Sequence, residues 1–276
     1  MKYICLLLLL LISLSALPQS TASKNVSSFS IGAPQLDTIK KIWVYLPEAY
    51  QTSKEHYGVL YMHDAQNLFD AETSFLGEWK VDEVLDSLEA QEIIVVGIEH
   101  GNEKRIAELT PFPHETHGGG EAAAYVDFIR ENLKPHIDST YRTLPEAGNT
   151  GIMGSSLGGL VSFYAAVKHP ETFGHAGVFS PSFWFSEEIF RFTEEADLDP
   201  SLRFYFLGGT EEGEQMVPDL QRIKDLLLKK GLPQKNMHIK IVEGGQHNEE
   251  FWSEHFPEAI QWLFPLKSQI ILQLKK

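Results

Sequence analysis

Short apolar runs, each closed by a polar or glycine-rich cluster, alternate along this chain with longer stretches of helical period. Residues 57–62 and 92–98 are nearly continuous apolar runs, the pattern of strands buried on both faces of a sheet. Similar strands are expected at 40–47, 150–153, 174–179, 202–207 and 237–242. Between them, Val81, Val84, Leu85 and Leu88 recur at helical spacing within a helix expected over 77–88. Further helices are expected over 121–137, broken near Pro135, and over 157–168, 219–230 and 249–263, with a partly helical acidic insertion at 186–199. Residues 24–37 are polar with scattered apolar positions and read as an arm leading into the first strand. The alternation of strands with helices implies one mostly parallel, doubly wound sheet flanked by helices, in a single α/β domain over 24–276.

The polar clusters fall where such a sheet gathers its chemistry, at the carboxyl ends of strands. Gly154-Ser155-Ser156-Leu157-Gly158 is a G-x-S-x-G pentapeptide lying between an expected strand and an expected helix. In that context it reads as a nucleophile elbow, with Ser156 on a strained turn and the amino end of the helix aimed at its hydroxyl. The bland reading is a Gly/Ser-rich turn without chemistry, and the flanking strand and helix weigh against it. A serine hydroxyl needs a base, and the base needs an orienting acid, expected in the order serine, acid, histidine. Downstream of Ser156, His169 ends a helix, His175 and His238 lie in strands, and His255 lies in a helix. His247 alone sits in a Gly-rich loop after the last strand. The acid follows the preceding strand, at Glu212, three residues after Gly209, or at its neighbour Glu211.

The cluster His63-Asp64-Ala65-Gln66-Asn67 closes the strand at 57–62 and is placed beside the elbow. Its backbone N–H groups at Ala65 and Gln66 supply half of an oxyanion hole, with the Leu157 N–H as the other half. The side chains of His63 and Asp64 either satisfy loop backbone or line a pocket. Trp79 is equally a core plug or a pocket wall. Phe183 and Trp184 are pocket candidates, because three consecutive aromatics must point in different directions. His100, His114 and His117 invite a metal reading, but no i,i+4 histidine pair or fixed carboxylate partner accompanies them, so they are read as solvated loop residues and no metal or cofactor is expected.

Charge and cysteine usage narrow the class. A formal net charge of −15 disfavours nucleic acid or an anionic membrane surface as partner. Lys2, the apolar run 4–14 and the small and polar residues after it read as a secretory signal peptide over residues 1–20, cleaved between Ala16 and Ser23. The mature chain is then expected to be secreted or periplasmic, without stable membrane insertion. Cys5 is the sole cysteine and leaves with that segment, so disulfides, thiolate metal sites and a cysteine nucleophile are excluded.

Taken together, Val59-Leu60-Tyr61-Met62-His63-Asp64-Ala65-Gln66-Asn67-Leu68-Phe69-Asp70, Trp79, Gly154 to Gly159 and Gly209-Thr210-Glu211-Glu212-Gly213-Glu214 resemble an esterase family of α/β-hydrolases. That family includes esterase D, enterochelin esterases, feruloyl and acetyl xylan esterases and the mycolyltransferases. The likeness runs from about Ile42 to Leu263. It implies the α/β-hydrolase fold, Ser156 as nucleophile, Glu212 as acid, His247 as base, and Gln66 and Leu157 as backbone oxyanion donors. The chain departs from the pattern at Ala65, where relatives often carry glycine and where a methyl group is expected to narrow the oxyanion loop. The resemblance implies a serine carboxylic-ester hydrolase acting on a small-molecule or saccharide ester. An acyltransferase using the same site, and a non-catalytic carbohydrate-binding relative, are the alternatives.

Overall fold

The computed structural model describes residues 20–88 and 93–265. The apolar run of the expected signal peptide lies outside the described residues. Among those described, no helix is long and apolar enough to cross a membrane.

The strands are β1 (Val26–Ala33), β2 (Thr38–Tyr45), β3 (Gly58–His63), β4 (Ile93–Ile98), β5 (Thr150–Ser155), β6 (His175–Phe179), β7 (Arg203–Gly209) and β8 (Met237–Val242). They form one eight-stranded sheet in the order β1-β2-β4-β3-β5-β6-β7-β8. β1 and β2 pair antiparallel, β2 joins β4 antiparallel, and every pairing from β4 to β8 is parallel. The doubly wound, mostly parallel sheet read from the sequence is therefore the observed architecture.

Both faces of the sheet are covered, which is why its central strands are apolar at every position. Val59, Tyr61 and Ile152 face one core with α3 (Ala122–Phe128), α5 (Leu157–Lys168) and α7 (Met216–Lys229). Their strand neighbours Leu60, Met62 and Met153 face the other, with α1 (Val81–Ser87) and α8 (Glu249–Leu263). The remaining helices are α2 (Arg105–Leu109), α4 (Lys134–Thr140) and α6 (Glu188–Glu195).

Several expectations are corrected. Most of the arm at 24–37 is the edge strand β1, and Phe29 and Ile31 pack on the core while serines alternate with them. The helix expected from residue 77 begins at Val81, because Lys80 adopts a left-handed conformation (φ 56°). The helix expected to break near Pro135 instead passes through a π-turn at Ile129–Leu133 and continues to Thr140. That wider turn places Pro135 in the first turn of α4, where its missing N–H costs nothing. Pro218 likewise sits inside the first turn of α7 rather than opening it.

Candidate active site

β5 delivers Ser156 to a turn that no ordinary backbone conformation would make. Ser156 has φ 58° and ψ −120°, between the last strand residue and the first residue of α5. Such strain costs on the order of 1–3 kcal/mol and persists only where the surroundings over-determine it. Here the Ser156 N–H donates to Phe179 O at 2.9 Å, and Ser156 O accepts from Leu160 N and Ser182 N at 3.1 and 3.0 Å. The turn also needs Gly159, whose absent Cβ would lie 2.6 Å from Phe179 O. The Ser156 hydroxyl is hydrogen bonded to Ser182 Oγ at 3.2 Å.

The loops after β7 and β8 meet each other. Gly209 makes the meeting possible, since a Cβ there would sit 2.1 Å from Gly245 O. Glu212 Oε2 is 2.6 Å from His247 Nδ1, while Oε1 accepts from Gly209 N at 2.6 Å and from Ser180 Oγ at 2.8 Å. The Glu212 side chain is fully buried and that of His247 is 39 % exposed. With a carboxylate on Nδ1, the imidazole is held as the tautomer whose Nε2 is free to accept a proton. Glu211, the other candidate acid, instead accepts from Gln246 Nε2 at 3.0 Å.

The chain leaving β3 turns at Asp64 (φ 56°) into a short 3-10 turn, Ala65–Asn67. Its first internal bond runs from Asn67 N to Asp64 O, and the first bond of α5 runs from Leu160 N to Ser156 O. The amides of Gln66 and Leu157 therefore precede the bonded part of each turn and carry no internal commitment. The Gln66 side chain is pinned to the β4 loop by bonds with His100 N and His100 O at 3.2 and 3.3 Å. The Ala65 methyl packs in the core against Gly97, with Leu68 and Phe69, and does not narrow the loop as expected.

Neither His63 nor Asp64 serves loop backbone. Asp64 makes a two-pronged ion pair with Arg105, at 2.7 and 2.9 Å. Burial alone would raise the Asp64 carboxyl, but the charge and hydrogen bonds of Arg105 outweigh it and hold it below the usual range. His63 Nδ1 lies 2.8 Å from Tyr125 OH, and burial pulls the imidazole down to about 4, so it is neutral at pH 7.

Ser156, His247, His63, Asp64, Gln66 and Trp79 all line one cavity of about 540 Å³. Its apolar lining is Leu68, Phe75, Leu76, Trp79 and Trp252, and its polar lining includes Asn67, His100, Asn102, Arg105 and Glu249. Trp79 is both wall and plug: it is 3 % exposed and stacks on Phe179 at 5.5 Å. Burial raises the Glu249 carboxyl.

Phe183 and Trp184 are not part of this cavity. A 3-10 turn at Phe183–Phe185 sends the rings apart. Phe183 is fully buried against Phe163 and Phe190, whereas Trp184 is exposed beside His114 and His117. The sequence reading missed Ser180, Ser182, Arg105 and Trp252. Ser180 and Ser182 stand at the carboxyl end of β6, which was the available signal. Trp252, within the aromatic helix α8, donates its indole N–H to Ser180 Oγ at 2.7 Å, and nothing in the local pattern marks it.

The chain is 27% identical over 239 residues to the Bacillus subtilis (strain 168) protein YbbA, covering 82% of this chain and 92% of that one. It is 25% identical over 230 residues to an iron(III) salmochelin esterase of Escherichia coli O6:H1, covering 77% of this chain and 51% of the relative. The enterobactin esterase of Shigella flexneri, solved in the presence of enterobactin, superposes with a TM-score of 0.73 at 19% identity, over 92% of this chain and 61% of that one. The sheet order, the strained turn after β5 and the helices on both faces are those of the α/β-hydrolase fold. The model of the family described as Putative esterase matches residues 33–263, from the end of β1 to the end of α8, and the chain belongs to that family of carboxylic ester hydrolases.

Proposed function

We propose that the protein is an exported serine esterase that works through an acyl-enzyme on Ser156. The observation that carries the reading is the Glu212–His247 contact of 2.6 Å, with His247 lining the same cavity as the strained Ser156. The Ser156 hydroxyl turns from Ser182 toward His247 and attacks the ester carbonyl carbon, and its proton passes to His247 Nε2. The carbonyl oxygen, now an anion, is held by the Gln66 and Leu157 amides, which have no internal partner to give up. Collapse of the adduct breaks the C–O bond, and the leaving alkoxide takes the proton from His247. Water then repeats the attack on the acyl-serine, with its proton again accepted by His247, releasing the carboxylic acid and restoring the serine hydroxyl. Glu212 holds the imidazole tautomer throughout and stabilises its protonated form.

The apolar lining of Trp79, Trp252, Leu68, Phe75 and Leu76 suits an aryl or short acyl group, and Arg105, Asn102 and His100 suit a polar remainder. Feruloyl esters, and siderophore esters such as the enterobactin and salmochelin for which relatives are named, are the first substrates to test. Ser156→Ala is expected to abolish hydrolysis of p-nitrophenyl acetate and butyrate and labelling by a fluorophosphonate. Unchanged turnover in that variant overturns the mechanism. The export reading is tested by N-terminal sequencing of the mature protein, expected to begin between residues 17 and 23.

A further inference from the structure

Away from the cavity's chemistry, three carboxylates converge where the chain enters α1. We infer that Glu78, Asp82 and Glu83 form a binding site for a calcium-class divalent cation, which clamps the lip of the cavity to the N-terminal segment. Each residue offers an oxygen, and the three oxygens lie within 4.8 Å of one another. A cation with ligands at about 2.3–2.6 Å holds its oxygens no more than about 5 Å apart, so one ion reaches all three.

The cluster has a second feature that solvated acidic residues lack. Asp82 is fully buried. Its Oδ2 accepts from Ser23 N at 2.6 Å, whereas Oδ1 is buried with no N–H or O–H donor among the described residues, and the Asp82 carboxyl lies against that of Glu83. An unmatched buried carboxylate oxygen is costly, and a cation shared with two neighbouring carboxylates removes the cost. Among the described residues, none of the three makes an ion pair with Lys, Arg or His. The donors are all carboxylate oxygens, which select hard cations. Their irregular placement, with Asp82 buried and Glu83 exposed, suits calcium, which tolerates varied geometry and completes its shell with water.

The position gives the site a consequence. Thr21 Oγ1 donates to Glu78 Oε1 at 3.0 Å and accepts from Ala71 N at 2.8 Å, while Ser20 Oγ and Thr21 N donate to Asp70 at 2.6 and 3.1 Å. The start of the described chain is thus strapped across the segment from Asp70 to Asp82. That segment carries Phe75, Leu76 and Trp79 of the cavity wall. An ion on Glu78, Asp82 and Glu83 holds the two carboxylates to which Thr21 and Ser23 are bonded.

The test uses chelator-treated protein that retains Ser20 to Ser23, and none of its readouts depends on the esterase reading. Terbium, a calcium surrogate, is added with excitation of tryptophan, since Trp79 adjoins Glu78. Sensitised emission that calcium displaces is expected, together with a rise of about 3 °C or more in Tm at about 10 mM calcium. Glu83→Gln, at an exposed position, and Asp82→Asn are expected to weaken terbium binding at least about tenfold and to erase the Tm response. Absence of sensitised emission and of a Tm response in the wild type overturns the site. So does an unchanged response in Glu83→Gln, which keeps the test decisive even if Asp82→Asn fails to fold.

Discussion

Trp252 and Ser180, 72 residues apart in the chain, are joined by a buried hydrogen bond of 2.7 Å from the indole N–H to the serine hydroxyl. The same hydroxyl donates to Glu212 Oε1, and the Trp252 ring stands edge-on to His247 with centroids 5.0 Å apart. One residue of α8 thereby braces both members of the proposed acid–base pair. Ser180→Ala removes a donor to a carboxylate and leaves the indole N–H unpaired. A hydrogen bond to a charged group contributes about 1.5–3 kcal/mol, so kcat on p-nitrophenyl butyrate is expected to fall roughly tenfold to a hundredfold. KM should change little, because Ser180 does not line the cavity. Gly209 N still holds Oε1, which limits the loss. A purely structural role would lower stability and leave kcat per folded molecule intact.

The two candidate acids separate by mutation. Glu212→Gln replaces the acceptor on His247 Nδ1 with an amide that can present its own N–H and favour the wrong tautomer. Loss of kcat on the order of a thousandfold or more is expected, as for an aspartate-to-asparagine change in other triads. Glu211→Gln disturbs an exposed bond to Gln246 and is expected to leave kcat nearly unchanged. Equal losses in both variants would remove Glu212 from its assigned role.

Much of this was readable from the chain because the relevant physics is local. A strand buried on both faces must be apolar throughout, so β3 and β4 announced themselves, and α5 and α8 have the bounds their periodicity predicted. β1 escaped notice because an edge strand needs only one apolar face, and its serines read as loop. Glycine-flanked loops after β5, β7 and β8 singled out Ser156, Glu212 and His247. What is brought together by long-range folding was not legible. The directions of Phe183 and Trp184 depend on a 3-10 turn, and the pairing of Asp64 with Arg105 spans 41 residues.

Two buried histidines favour the fold at neutral pH over acid. Burial pulls both His63 and His175 down to about 4, against an ordinary value of about 6.5 in the unfolded chain. The unfolded state therefore binds more protons between these values. Stability is fully present above about pH 6.5 and is lost as pH falls toward 4. Each such group contributes a slope of up to about 1.4 kcal/mol per pH unit within that window. Urea midpoints measured from pH 7 to 4 should fall, less steeply than the two histidines alone would give. The Asp82 carboxyl, drawn up to about 7 by burial, adds stability as pH falls over the same range. His63→Gln should make the slope shallower by about one proton. An unchanged slope would mean that His63 is already protonated in the folded state.

The lip of the cavity gives the last prediction. Phe75 and Leu76 are 88% and 72% exposed, large apolar side chains that burial in the fold does not account for. Both line the cavity, so their apolar surface is available to an acyl or aryl group. Each methylene removed from water is worth about 0.8 kcal/mol, close to a fourfold change in binding. Replacing both with serine removes no core contact and should leave Tm unchanged. It should raise KM for p-nitrophenyl butyrate several-fold while affecting the acetate ester much less, because the shorter acyl chain has fewer methylenes to lay against the lip. A uniform rise in KM for both esters would place the acyl chain elsewhere in the cavity, against Trp79 and Trp252, with the lip holding the alcohol half of the substrate.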